Sequence, residues 1–224
     1  MIIPPETAAV IPAYNESERI GRVVREVRKY ADKVIVVDDA STDETSEIAA
    51  DNGAETIILE KNRGVGFATR AGCDRALKIG AGYIITIDAD GQHEPSEIPL
   101  LLNELRSKNL DIVFGSRKRN DEMPLIKRIG NAALASLFFL LYKTRIEDTQ
   151  TGFHAFRREA YKMLRWISDG YALATEMSVR VVEYKMKFTE VRVSTIYYGK
   201  KKGMMIRDGL KAVCLMLFWK FKCL

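Results

Sequence analysis

Five short apolar runs, at residues 8–13, 34–37, 54–59, 83–87 and 111–114, recur through the first half of the chain, and each reads as a strand. The stretches between them have helical character. Residues 16–31 place Ile20, Val23, Val24 and Val27 on one face, and helices are also expected over 64–77 and 96–106. The segment Asp38-Asp39-Ala40-Ser41-Thr42-Asp43 opens a further helix, with Ser41 or Thr42 as its N-cap. Such β-α-β alternation needs crossover connections, and strands apolar on both sides need cover on both sides. The expected architecture is α/β, Rossmann-like, a mostly parallel sheet with helices on both faces. With 224 residues, 47% of them hydrophobic, the chain can bury one substantial core, so a single domain over 1–224 is expected.

Two phosphate-binding signatures of such sheets are missing. A dinucleotide fold needs G-x-G-x-x-G at the first strand-to-helix turn, which here reads Pro12-Ala13-Tyr14-Asn15-Glu16. The one G-x-G, Gly64-Val65-Gly66, follows the third strand and lacks the third glycine, and no G-x-x-x-x-G-K-[ST] occurs. What the fourth strand carries is Ile87-Asp88-Ala89-Asp90-Gly91-Gln92-His93. Asp88 and Asp90 then sit at the carboxyl end of a strand, where open α/β sheets bind ligands. A turn there can bring both carboxylates onto one hard cation, Mg²⁺ or Mn²⁺, that keeps positions open for substrate phosphates; a bare D-x-D is equally an acidic turn.

Charge is divided unevenly. Through Asp111 there are 13 Lys+Arg against 20 Asp+Glu, and beyond it 22 against 10, so an acidic half that can grip a cation precedes a basic half that can meet an anion or a membrane surface. The basic residues accompany apolar helices rather than a repeated aromatic platform, which disfavours nucleic acid. Cys73, Cys214 and Cys223 show neither metal spacing nor an even count, which points to a reducing compartment, and residues 1–6 carry no signal-peptide pattern.

Five ordered segments together resemble family 2 glycosyltransferases: V-I-P-A-Y-N-E (10–16), V-V-D-D-A-S-T-D (36–43), N-R-G-V-G-F-A (62–68), I-D-A-D-G-Q-H (87–93) and F-G-S-R (114–117). Within that family the likeness, over about residues 7–210, is strongest to dolichyl-phosphate mannosyltransferases and related polyprenyl-phosphate sugar transferases. The resemblance implies a GT-A fold, a nucleoside-diphosphate sugar donor and inverting transfer to a dolichyl or polyprenyl phosphate. It places Pro12, Tyr14, Glu16, Asp38, Asp39, Gly64 and Asp88 in the nucleotide-sugar pocket, and Asp88, Asp90 and Gln92 around Mg²⁺ or Mn²⁺, with Asp90 catalytic. His93 is more often a structural hydrogen-bonder than a ligand. Arg117 and Arg128 match positions that hold the lipid phosphate, while Asp148 and Gln150 match an acceptor loop. Glu176 falls where relatives with hydroxyl acceptors carry a base, with helix packing or loop pinning as its other reading. Lys202, in Lys200-Lys201-Lys202-Gly203, occupies a loop that closes over the donor diphosphate, or is one of a solvated charge run.

Membrane-associating helices are expected at about 128–142 and 204–224. The first has an eleven-residue apolar core, too short to span a bilayer, and reads equally as a buried or an interfacial helix. The second ends in Trp219-Lys220-Phe221-Lys222, a pattern of interfacial anchoring. The expected protein is therefore a peripheral enzyme on the cytoplasmic face of the membrane that moves mannose from GDP-mannose, or glucose from UDP-glucose. A family 2 transferase with a saccharide hydroxyl acceptor and a non-catalytic nucleotide-sugar-binding module are the alternatives.

Overall fold

The computed structural model describes residues 5–117, 125–196 and 206–221. A seven-stranded sheet has the order β3-β2-β1-β4-β6-β5-β7, built from β1 (Thr7–Ala13), β2 (Lys33–Asp38), β3 (Glu55–Ile58), β4 (Tyr83–Thr86), β5 (Ile112–Arg117), β6 (His154–Arg157) and β7 (Phe188–Val193). The five expected strands are all present and run parallel where they pair. Two further strands were not expected: β7, which pairs parallel with β5, and β6, which runs antiparallel between β4 and β5. Because it opposes both, β4 and β5 share a direction, and Thr86 and Arg117 emerge at the same edge of the sheet. The lead-in to β6, residues 148–152, arrives at that edge too.

Alternate residues of each strand feed two cores. Ala9, Ile11, Ile85 and Val113 pack under α1 (Ser17–Val27) and α4 (Ile98–Ser107), whose Ile20, Val24, Leu101 and Leu105 are fully buried. Ala8, Val10, Ile84 and Phe114 face the other way, against α3 (Val65–Lys78), α5 (Leu125–Tyr142), α7 (Ala172–Glu183) and α8 (Ile206–Phe221). Double cover explains the unbroken apolar reading of β1 and β2. Pro12 is tolerated in a central strand because of where it falls. The carbonyl of Val10 accepts Ile87 N–H on the β4 side, and the matching donor two residues on would point past the end of β4.

The second helix, α2 (Thr45–Asp51), begins later than its expected cap. Ser41 Oγ instead accepts Asn15 N–H (2.9 Å), and Asp43 carboxylate oxygens accept the N–H groups of Thr45 (3.1 Å) and Ser17 (3.2 Å), fastening α2 to α1. A short α6 (Arg158–Leu164) follows β6.

Helix α5 divides between the two readings of its sequence. Leu134, Phe138 and Tyr142 are buried, whereas Ile129, Phe139 and Leu140 are exposed. On α8, Ala212, Met216 and Trp219 are buried against the core, and Tyr142 Oη donates to Met216 O (2.8 Å). Trp219 is thus a core residue and not the expected anchor; the exposed apolar side chains are Leu210, Leu217, Phe218 and Phe221. Among the described residues no helix is long and apolar enough to cross a membrane.

Candidate active site

The carboxyl ends of β1, β2 and β4 gather Tyr14, Asp38, Asp39, Asp88 and Asp90 at one edge. The backbone is unusual there: Asn15 (φ 53°) and Ala40 (φ 60°) both occupy the left-handed region without being glycine. Cross-links hold them in place, because Thr42 N–H donates to Asn15 Oδ1 (2.8 Å) and Ser41 N–H to Asp38 Oδ1 (2.8 Å). Tyr14, just past the end of β1, is 40% exposed. Glu16 N–H is held by Thr45 Oγ1 (2.9 Å).

Asp39 is committed to the fold. Its two oxygens accept Arg63 N–H (2.6 Å) and Gly64 N–H (2.7 Å), so the carboxylate pins the turn that opens α3. Gly64 has φ 92°, and a Cβ there would stand 2.5 Å from Asp169 O. Glycine is required on both counts. The hydrogen bonds to Asp39 bring Gly64 beside the end of β2, the two segments that the resemblance expects in one pocket.

Asp88 and Asp90 behave differently. Burial and the charge of Asp90 push the Asp88 carboxyl up to about 7, although 38% of its side chain remains open to solvent. Burial also raises Asp90, against hydrogen bonds from Gln92, whose N–H (3.0 Å) and Nε2 (2.6 Å) both donate to it. Gln92, expected as a metal ligand, spends its amide nitrogen orienting Asp90. Two crowded carboxylates that resist ionising together are a donor pair suited to Mg²⁺ or Mn²⁺, which bind through one or two carboxylates plus phosphate oxygens. Among the described residues there is no group of three or more acidic, His or Cys side chains around one point, so the remaining donors would come from the substrate. His93 lies 3.8 Å from Asp88 Oδ2, packs on Phe153 and is buried, which lowers its pKa to about 3. The imidazole is neutral, but its buried Nδ1 meets no hydrogen-bond partner among the described residues, so the expected structural hydrogen bond is not seen there.

The segment that leads into β6 completes this edge. Gly152 lies so close to Asp88 that a Cβ on it would be 2.5 Å from Oδ1 and 2.6 Å from Oδ2, and its carbonyl accepts Thr86 Oγ1 (2.9 Å). The role of Gly152 was not readable, since it depends on a strand 68 residues distant being threaded beside β4. A family model described as glycosyl transferase family 2 matches residues 8–165, well over half the chain and every element of this site on the donor side.

The chain belongs to glycosyl transferase family 2.

Its relatives include a UDP-N-acetylglucosamine–dolichyl-phosphate N-acetylglucosaminyltransferase of Methanococcus voltae, 32% identical over 94% of this chain and 94% of the relative. A dolichyl-phosphate hexose transferase of Haloferax volcanii is 31% identical, again over 94% of each. Among solved structures, the glucosyl-3-phosphoglycerate synthase of Mycobacterium tuberculosis, crystallised with Mn²⁺ and UDP, superposes with a TM-score of 0.72 at 19% identity, covering 96% of this chain and 80% of that one. The fold of this glycosyltransferase is GT-A, as the resemblance implied.

Toward β5 the enzyme carries a fork. Arg117 Nε and Nη2 donate to Asp148 Oδ2 (2.6 Å) and Oδ1 (2.9 Å), and Arg117 N–H adds a third bond to Oδ2 (3.2 Å). Burial opposes ionisation of Asp148, but the guanidinium overcomes it and holds the carboxyl below its ordinary range. The Arg117 charge reaches further, opposing the upward push that burial exerts on Asp88 and Asp90. Gln150 Nε2 donates to Thr175 Oγ1 (2.8 Å), tying the same segment to α7.

Glu176, on α7, is engaged by the protein. It is fully buried, and its oxygens accept Ile167 N–H (2.9 Å), Ser168 N–H (2.9 Å) and Arg180 Nε (2.8 Å). The loop it pins rests on α3, where Asp169 O accepts Phe67 N–H (3.0 Å). These contacts are those of the loop-pinning alternative. Lys202 and the side chain of Arg128 lie outside the described residues. A cavity of about 380 Å³ lies beside β7, lined by Ser116, Arg145, Glu147, Glu190 and Arg192 among others and not by Asp88 or Asp90.

Proposed function

We propose that this glycosyltransferase moves a hexose, mannose or glucose, from a nucleoside diphosphate to a dolichyl or polyprenyl phosphate with inversion at the anomeric carbon. The observation that carries the acceptor assignment is Glu176, whose oxygens are occupied by backbone N–H groups and Arg180. A saccharide hydroxyl needs a proton acceptor as it attacks. A phosphate oxygen is already ionised near neutral pH and needs cations instead. Arg117 supplies one, held ready by Asp148, and Arg128 is proposed as the second. The names of the dolichyl-phosphate relatives support the same choice.

In this reading Tyr14, Asp38 and the turn fixed by Asp39 hold the nucleoside, with Pro12, Glu16 and Gly64 shaping the backbone around it. Asp88 and Asp90 face the diphosphate, and Lys202 closes over it. A divalent cation bound there would neutralise the diphosphate and stabilise the leaving nucleoside diphosphate as a Lewis acid. Arg117 steers a phosphate oxygen to the anomeric carbon from the face opposite the leaving group. The new C–O bond forms as the bond to the diphosphate breaks, and the nucleoside diphosphate departs with the electron pair. The exposed apolar side chains of α5 and α8 are proposed to seat the enzyme in the interface of the cytoplasmic leaflet, where such an acceptor resides.

The test is transfer from a panel of GDP- and UDP-sugars, with Mn²⁺, to a short-chain polyprenyl phosphate and, separately, to saccharide acceptors. A lipid-linked monosaccharide is expected, formed about tenfold to a hundredfold more slowly when Arg117 is changed to Ala. Transfer to a saccharide with inert polyprenyl phosphate would overturn the acceptor, and selective use of UDP-N-acetylglucosamine would replace the hexose.

A further inference from the structure

Strand β7 forms the outer edge of the sheet beside β5, with Glu190 in register with Phe114, three residues before Arg117. Its carboxylate turns toward the loop that precedes β6. Glu147 N–H donates to Oε1 (2.9 Å) and Oε2 (2.8 Å), and Asp148 N–H donates to Oε1 (3.1 Å). Two successive amides thus converge on one carboxylate, and the second belongs to the residue whose own carboxylate forks Arg117. Backbone N–H of Asp148, side chain of Asp148 and guanidinium of Arg117 form one chain of contacts from the edge strand to the active site.

The surroundings make this an expensive place for a carboxylate. Burial pushes the Glu190 pKa up despite the donated hydrogen bonds, and the negative charges of Glu147 and Asp148 push it the same way. Holding a turn alone needs no charge; a hydroxyl or amide oxygen could accept one of these N–H groups. An ionised acceptor that captures both amides fixes the position and the orientation of the peptide, which is what a fork aimed from the next residue requires.

We infer that Glu190 is a positioning residue for the acceptor phosphate, acting through the backbone of Glu147 and Asp148 to set the Asp148–Arg117 fork. This rests on the reading that Arg117 receives that phosphate. Displacement of a guanidinium by about an ångström is enough to weaken an oriented phosphate contact.

The experiment is steady-state kinetics of the full chain with a short-chain polyprenyl phosphate and its nucleotide sugar, for Glu190→Ala, Glu190→Asp, Arg117→Ala and the double variant Glu190→Ala/Arg117→Ala. Glu190→Ala is expected to raise the acceptor KM about tenfold, with the donor KM within about twofold of wild type. Glu190→Asp keeps the charge but is too short for both amides, so it should follow Glu190→Ala and serves if the alanine variant does not fold. In the Arg117→Ala background the Glu190 change should add less than about twofold, because the group it positions is gone. A Glu190 penalty of equal size in both backgrounds would make the residue merely structural and overturn the inference. So would an unchanged acceptor KM in the Glu190 variants while Arg117→Ala raises it. If Arg117→Ala itself leaves the acceptor KM unchanged, the acceptor reading fails first.

Discussion

Asp88 and Asp90 at the end of β4, and Asp39, Asp148 and Glu176 along the walls beside them, are five carboxylates of one edge held by opposite means. Those of the walls are answered by the protein. Each accepts two or more N–H groups, and Asp148 and Glu176 add a guanidinium. The pair at the β4 tip is answered less fully: Gln92 donates two N–H groups to Asp90, yet burial still raises both carboxyls, and Asp90 raises Asp88 further. Burying charge without full compensation is costly, and a fold tolerates it where a ligand supplies the missing counter-charge. The walls should therefore report on stability and the tip on activity.

The largest separation is expected at Asp90. Asp90→Asn should lower turnover by about a thousandfold or more, since it removes one of two carboxylates facing the diphosphate. Its thermal midpoint without donor should stay near wild type. Near-normal turnover with a lowered midpoint would move Asp90 to the structural set and erase the contrast.

Glu176 is the counterpart. Glu176→Ala leaves Arg180 and the Ile167 and Ser168 amides without their acceptor in a buried site, so a loss of about 3 kcal/mol in stability is expected, or a midpoint roughly 6 to 12 °C lower. Glu176→Gln, which keeps an acceptor oxygen, should lose less and retain measurable turnover. A Glu176→Gln enzyme that keeps its melting profile but is inactive would restore the base role and the hydroxyl acceptor.

That contrast was only half legible beforehand. The five strands and the D-x-D were readable because their signals are local: β-branched runs, helical spacing, a carboxylate pair at a strand's end. The order of the sheet was not, because β6 lies between β4 and β5 through pairings such as Thr86 with His154, 68 residues apart, which no short-range pattern encodes. Gly152 against Asp88 was missed with that insertion, and Glu190 beneath Asp148 was missed with β7, whose pairing beside β5 is equally non-local. Glu176 illustrates a second limit. A carboxylate at a family position reads the same whether its oxygens meet a substrate or two backbone amides, and only the path of residues 167–168 distinguishes them. Trp219 shows the same ambiguity, since a tryptophan among lysines looks interfacial until Met216 and Tyr142 are seen to pack with it on the core side.

Gly152 sharpens the comparison at the point where wall and tip touch. Gly152→Ala puts a methyl into the space of both Asp88 oxygens and must turn the carboxylate aside. A loss of about tenfold to a hundredfold in apparent metal affinity is expected, the range for residues that orient a ligand. Thermal stability should change little without metal. Unchanged Mn²⁺ dependence of turnover would show that the Asp88 orientation is immaterial.

The smallest effect is a difference of sign with pH, and it separates the β4 tip from the imidazoles packed around it. Asp88, at about 7, lies above its unfolded value, so its ionised form destabilises the fold above pH 7 and that cost is relieved as pH falls. His154, paired beside Thr86, is lowered to about 4 by burial, and His93 to about 3. Their folded values lie below the unfolded one near 6.5, so their contribution is complete above pH 6.5 and is lost as pH falls toward 4. Between pH 6.5 and 5 the unfolded chain holds between about one and two imidazole protons that the fold refuses, while the fold holds about one at Asp88 that the unfolded chain lacks. The net is a loss of about 1 to 2 kcal/mol at roughly 1.4 kcal/mol per proton per pH unit, with the Asp88 part reduced by its exposure. Thermal midpoints without metal should fall by a few degrees over that interval in wild type, and by clearly less in His154→Gln, which removes one refused proton. In Asp88→Asn the fall should be steeper, because the compensating carboxylate is gone. Parallel curves for all three proteins would mean that neither group is held away from its ordinary protonation, and the electrical contrast between tip and surroundings would not stand.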